Sequence, residues 1–449
     1  MRGDEGLLGS RGRVASVVKF IAATAGLLAS VLSYVCIFPP LITAVWIIAI
    51  SLCLIFHVRN NRLLLLIAVV MTYASYSVCY VNYINPLTTT MFTSLSSTTS
   101  AQTALSALLL FLSALLLFLP QKIIEFGYGK TAFQARGSNA FIVGVMSIIL
   151  SLILVYGFGR PDAIGGDRGS PSPLYEYSII LFLASFYFAG DKKSLNGVLA
   201  FLLVLFAGQN LIYGGRVTAL QLLLVFFFIF LSSRMTWRSI LPFLALAFAL
   251  LVTIGNLRTD FIGADFSDMV ESLQDILRQG LAWDTAFSSW HTSITFLLYG
   301  DMVNIAEHFR LFGQWLLSIF FGGSVEDSGL AIITRNFYAH YYGGTLPIFF
   351  QFYLGPLGVI AVAGYVAVIM NWTNKVCSEN GEGIHKGKWQ PIATICTLYV
   401  SVTTFRWFLY SPSQITRGLL LCALVSLALF WVNEQMTAKR TSLGKVGVS

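Results

Sequence analysis

Charge is what this sequence has least of: Asp, Glu, Lys and Arg make up 11% of its 449 residues, whereas 56% are hydrophobic. Soluble domains carry about 25% charged residues, so this composition excludes one and implies an integral membrane protein. Period-2 alternation is also missing, which disfavours a β-barrel against a bundle of helices. The six cysteines (Cys36, Cys53, Cys79, Cys377, Cys396 and Cys422) form no CxxC and no paired spacing. Neither a disulfide framework nor a thiolate metal site follows from them. Catalytic signatures are equally scarce. There is no HExxH, P-loop, GxSxG or DxD, the nearest to the last being Asp265-Phe-Ser-Asp268. Metal-dependent catalysis and ATP use are therefore unsupported, and no cofactor or metal is expected. The apolar runs are almost free of Asp, Glu and Lys, which counts against an ion-coupled pump or symporter with titratable groups at mid-membrane.

What is present is a succession of apolar runs of the length a helix needs to cross about 30 Å of hydrocarbon. The expected fold is an all-α integral membrane protein of about twelve transmembrane helices with a large external loop containing short helices. The spans fall near 14–36, 41–57, 63–84, 102–120, 139–158, 174–190, 194–211, 217–233, 239–254, 347–370, 391–409 and 416–433. The first is longer than a signal-peptide core and lacks a small-residue cleavage site, so it is expected to be retained. A further apolar piece, 311–321, is too short to cross and is interrupted by Gly313 and Gln314. It is expected to lie in the interface or to dip into the bundle. The chain thus divides into 1–254 with nine spans, a polar segment 255–346, and 347–449 with three spans and a C-terminal tail.

Of the 28 basic residues, this count places 19 on the side that holds both termini. By the positive-inside rule that side is cytoplasmic, and the polar segment lies outside. The pI near 9.1 is explained by these flanking charges and needs no nucleic acid partner. Every lysine falls on the cytoplasmic side, while the outward basic residues are all arginine: Arg160, Arg168, Arg216, Arg258, Arg278, Arg310, Arg335, Arg406 and Arg417. Arginine binds phosphate or carboxylate bidentately and stays charged when partly desolvated. An outward site for such groups is one reading of this bias; surface arginines paired with the segment's own acids are the other. Arg406 and Arg417 flank the last outward hairpin beside Trp407 and Tyr410 and read as interfacial anchors.

Two stretches carry the candidate chemistry. Asn210-Leu-Ile-Tyr213-Gly214-Gly215-Arg216 closes one span and opens the next at the outer face. Its glycines allow a sharp turn or a close backbone approach, and Arg216 then stands at a helix start, where backbone N–H groups and a guanidinium suit an anion. The alternative is a plain turn with Arg216 anchored at the headgroups. The polar segment contains Trp283-Asp284-Thr-Ala-Phe-Ser288-Ser289-Trp290-His291 and Arg335-Asn336-Phe-Tyr338-Ala-His340-Tyr341-Tyr342-Gly343-Gly344. Aromatics interleaved with hydrogen-bonding groups suit a sugar, stacking on its apolar face and taking its hydroxyls. Packing at the membrane interface, and a structural imidazole at His340, are the competing readings.

The outward Gly-Gly-Arg opening a span, the long outer segment with scattered arginines, and Gly344-Thr-Leu-Pro-Ile-Phe-Phe-Gln351-Phe-Tyr-Leu-Gly355-Pro-Leu-Gly358 entering the next span together resemble the O-antigen polymerase family. The resemblance covers the layout of most of the chain and about three short stretches of sequence. It implies a bacterial inner-membrane enzyme with both termini cytoplasmic and a periplasmic active site. It also implies an undecaprenyl-pyrophosphate-linked oligosaccharide substrate, metal-independent glycosyl transfer, and cooperation with a flippase and a chain-length regulator. O-antigen ligases are similar in layout, but their His-Asn pattern is not met here, since His340 is followed by Tyr341. The paired-arginine motif of some polymerases is not evident either. A lipid-linked oligosaccharide transporter without chemistry is the remaining alternative; it calls for an inverted repeat or a charged inner cavity, and neither is visible.

Under the polymerase reading, breaking the anomeric C–O bond releases a lipid pyrophosphate whose charge the protein must stabilise without a metal. Arg216, Arg258 and Arg335 are the expected donors, with Arg278 and Arg310 in reserve and Gly215, Asn336 and Tyr338 beside them. The acceptor hydroxyl needs a base, for which His340, Glu326, Asp327 and Asp284 are the candidates.

Overall fold

The computed structural model describes residues 4–84, 98–124, 138–158, 172–212, 215–232, 238–239, 242, 285–338, 343–381 and 389–446. Among these the chain is helical throughout, with no strand. The helices are α1 (Asp4–Tyr34), α2 (Pro40–Val58), α3 (Arg62–Cys79, continued by a π turn Tyr80–Ile84), α4 (Thr99–Phe118), α5 (Ala140–Tyr156), α6 (Pro173–Glu176), α7 (Ser178–Ala189), α8 (Lys193–Ile212), α9 (Arg216–Phe226, continued by a π turn Phe227–Leu231), α10 (Thr285–Gly300), α11 (Ile305–Phe321), α12 (Leu330–Thr334), α13 (Leu346–Gly381), α14 (Gln390–Val402), α15 (Thr404–Leu409) and α16 (Ser413–Val446).

Among the described residues, seven helices are long and apolar enough to cross a membrane: Ser16–Tyr34, Pro40–Val58, Arg62–Ile84, Thr99–Phe118, Lys193–Leu211, Leu346–Ser378 and Ser413–Thr437. The protein is therefore membrane-embedded and all-α. The expected spans 139–158, 174–190, 217–233 and 391–409 correspond to shorter apolar helices, Ala140–Tyr156, Ser178–Ala189, Val217–Leu231 and Gln390–Val402. The expected span 239–254 lies almost wholly outside the described residues.

Helix starts are set by local chemistry. The carboxamide of Asn61 accepts from the N–H groups of Leu63 (3.1 Å) and Leu64 (3.3 Å), satisfying donors that the first turn of α3 leaves without a helical partner. Thr98 caps α4 and Asn139 caps α5 in the same way. Asn304 caps α11 through the N–H of Glu307 at 3.0 Å, which also places an acid at the positive end of that helix. Pro40 opens α2, where its missing N–H is no loss.

The chain forms two compact units. The first comprises residues 1–125, 276–375 and 404–414. In it α1, α2, α3 and α4 pack side by side. Small residues let backbones approach: a Cβ on Gly26 of α1 would stand 2.3 Å from the hydroxyl of Ser113 on α4. Hydroxyls tie the same helices together, Ser33 lying 2.8 Å from Thr43 and 2.7 Å from Ser106. Against this bundle packs α10, touching α3, α4, α12 and α15. The second unit comprises residues 126–275, 376–403 and 415–449. Here α5, α7, α8, α9 and α14 pack around an aromatic cluster in which Tyr175 meets Phe158 edge-on at 5.1 Å and Phe206 at 4.9 Å.

Candidate functional site

In the second unit the Gly-Gly-Arg stretch has a geometry that accounts for its glycine. The N–H of Gly215 donates to the carbonyl of Asn210 at 2.6 Å, turning the chain from α8 into α9. A Cβ on Gly215 would meet the Asn210 carboxamide oxygen at 2.4 Å, so a side chain here forces the turn apart. Asn210 is itself buried and held in place: its amide donates to Phe206 O (2.8 Å) and to the Tyr175 hydroxyl (3.0 Å), which donates to the Gln209 side chain at 2.7 Å. Arg216 is the first residue of α9, and its side chain falls outside the described residues. Arg258, Arg278, Asp284 and His340 lie outside them entirely.

In the first unit the structure brings several predicted residues to one edge, along α11 and α12. Arg310 holds both carboxylate oxygens of Glu307, at 2.7 and 2.6 Å, and donates to Asp327 at 3.0 Å. The hydrogen bond from Arg310 keeps the Glu307 carboxyl below its ordinary range, and the two carboxylates hold the guanidinium still more firmly protonated. Asp327 reaches Arg310 from a left-handed backbone conformation (φ 52°), one that Asp tolerates better than most residues. Glu326 and Asn336 are exposed, and Arg335 caps the C-terminus of α12 at the surface. The hydroxyl of Tyr338 donates to the sulfur of Met302 at 3.3 Å. Arg310 and Asp327 are thus partners of each other, the plainer of the two readings open to the outward arginines, and each is less available to a substrate for that reason.

Two histidines have settings that sequence did not disclose. His291 sits on α10 at 1% exposure, its ring 4.4 Å from that of Phe287. Desolvation lowers its pKa to about 4, so the imidazole is neutral at physiological pH. The signal was available: Thr285–Gly300 contains no Asp, Glu, Lys or Arg, unlike the chain on both sides of it. His308 on α11 serves a break in α13. In an unbroken helix the carbonyl of Phe352 would accept from the backbone N of residue 356, but Pro356 has no N–H, and Gly355 is kinked to φ 62°. His308 Nδ1 donates to this carbonyl at 2.6 Å, and its ring packs on Phe352 at 4.5 Å.

His308→Ala is accordingly expected to destabilise the protein by about 1–3 kcal/mol, the cost of a carbonyl left without its donor. A lowered unfolding temperature in detergent measures it. Pro356→Ala restores a backbone donor, so the His308→Ala penalty should shrink in that background; equal penalties in both would refute the pairing.

The fold defines the class: an all-helical protein embedded in a membrane by at least seven helices long and apolar enough to cross it. Beyond that class, the chain matches no family model, no curated protein sequence and no solved structure.

Proposed function

We propose that this protein polymerises O-antigen or related surface-polysaccharide repeat units at the periplasmic face of a bacterial inner membrane. In this reading it crosses the membrane about twelve times, keeps both termini in the cytoplasm and exposes 255–346 to the periplasm. The acceptor sugar hydroxyl attacks the anomeric carbon of the growing glycan, the bond to the undecaprenyl pyrophosphate breaks, and a base takes the hydroxyl proton. The departing pyrophosphate carries away the electron pair, and its charge is met by oriented donors rather than by a metal.

The observation that supports this most is the start of α9. Arg216 is the first residue of that helix, where backbone N–H groups and the helix dipole favour an anion. Arg216 is the first candidate for the pyrophosphate, and Arg258, Arg335 and Arg278 are the alternatives to it. Because Arg310 and Asp327 hold each other, the base is sought among Glu326, Asp284 and His340.

The lipopolysaccharide ladder of a strain lacking this chain tests the reading. Core capped with a single repeat unit is the expected result. A bare core would overturn it in favour of ligation to lipid A-core or transport of the lipid-linked glycan.

A further inference from the structure

Helix α11 divides into three sectors when its residues are set at about 100° intervals. One faces the first unit: Leu311, Trp315, Ser318 and Ile319 are buried. Trp315 packs edge-on against Phe350 at 5.2 Å, and Phe312 meets Tyr353 at 5.6 Å. A second sector is apolar yet exposed, with Ile305 at 75%, Phe309 at 56%, Leu316 at 42% and Phe320 at 73%. The third, on the far side of the helix from the second, carries the polar strip of Glu307, Arg310 and Gln314, whose charges are tied to one another and to Asp327. In the last turn this sector too is apolar and exposed, with Leu317 at 50% and Phe321 at 67%. Passing round the helix over residues 305–316, the surroundings implied are protein, hydrocarbon and water, and the apolar face widens at the C-terminal end.

The start of α13 supplies the depth. Asn371, Asn374 and Lys375 end its apolar run, so the stretch that crosses the hydrocarbon core is 347–370 and begins ahead of the break at Pro356. Residues 346–354 therefore lie at the start of that crossing, and these are the residues α11 packs on: His308 on Phe352, Trp315 on Phe350, Phe312 on Tyr353. A helix at that level, with opposed apolar and polar sectors, has the form of one lying in the membrane surface.

We propose that α11 lies in the plane of the bilayer surface, with Ile305, Phe309, Leu316 and Phe320 inserted at the boundary of acyl chains and headgroups and Glu307, Arg310 and Gln314 turned to water. The occupant of the exposed apolar face is lipid. This assignment does not depend on polymer synthesis and holds for any activity of the chain.

Photo-crosslinking in native membranes tests it, with p-benzoylphenylalanine introduced in the full chain at position 309, 320 or 314 in turn. A fourth site at Phe56, exposed on the membrane-length helix Pro40–Val58, serves as the lipid-facing reference. Mass spectrometry should find lipid adducts at 309 and 320, as at 56, and none at 314. Adducts joining two copies of the chain through 309 and 320 would overturn the proposal, as would lipid adducts at 56 alone. Equal lipid labelling at 314 and 320 would place the helix inside the hydrocarbon and overturn it as well.

Discussion

Arg216→Lys is expected to reduce polymer extension by about 10- to 100-fold. Lysine keeps the positive charge but replaces a planar fork with a single ammonium, so a two-point grip on phosphate oxygens becomes one. Charge-assisted hydrogen bonds are worth about 1.5–3 kcal/mol, and each 1.4 kcal/mol is tenfold. Arg216→Ala removes the charge too and should leave no ladder above the first repeat. The measurement is the length distribution of the surface polysaccharide in cells whose membranes contain equal amounts of each variant. A fully active Arg216→Lys protein would refute bidentate phosphate binding. Gly215→Ala should also fail, for a different reason: its methyl group would sit 2.4 Å from the Asn210 oxygen and push the helix start, and Arg216 with it, out of place.

Gly344→Ala is expected to cost roughly 3–5 kcal/mol, the sum of strain and overpacking, and to leave little folded protein. Gly344 has φ 151°, a conformation that residues with side chains rarely adopt. A Cβ there would lie 2.5 and 2.8 Å from the ring of Phe296 and 2.7 Å from that of Phe349. The backbone cannot easily retreat, because the N–H of Gly344 donates to Leu409 O at 3.0 Å and the neighbouring Thr345 N–H donates to the Ser293 hydroxyl at 2.8 Å. The amount of monodisperse protein extracted from membranes reads the effect. Gly313→Ala is the control: nothing lies within 4 Å of the added methyl group, and the site is inside a helix, so stability should hold or rise by up to about 1 kcal/mol. Equal yields of the two variants would refute the close packing at Gly344.

The two predictions bear on glycines that stand in the stretches resembling the polymerase family, and the structure gives each a steric reason independent of catalysis. The same stretches therefore carry less functional information than their residues suggest. Arg310 makes a parallel point. As an outward arginine it was a reserve phosphate ligand, and its position three residues after Glu307 already allowed an ion pair along one helix face. Its second partner, Asp327, lies too far along the chain for any helical spacing to connect them.

By itself, the amino-acid sequence determined that the protein is helical and membrane-embedded, because runs of about 20 apolar residues have no other stable use. The starts of four helices are likewise local, since Asn61, Thr98, Asn139 and Asn304 each accept from backbone N–H groups no more than three residues on. Only the tertiary structure decided that 285–300, within a segment legible as a polar loop, is a buried helix. Its serines and threonines lower the apparent hydropathy, yet in the fold the hydroxyls of Thr292, Ser293 and Thr295 donate to backbone oxygens three or four residues back, Ser293 to Ser289 at 2.8 Å and Thr292 to Ser288 at 3.1 Å. That satisfies these three without water, so the helix can pack against α3, α4 and α15. The break at Pro356 was likewise legible as a proline but not as a site of contact. That His308 supplies the missing donor depends on α11 lying across α13, and no spacing along the chain encodes that crossing.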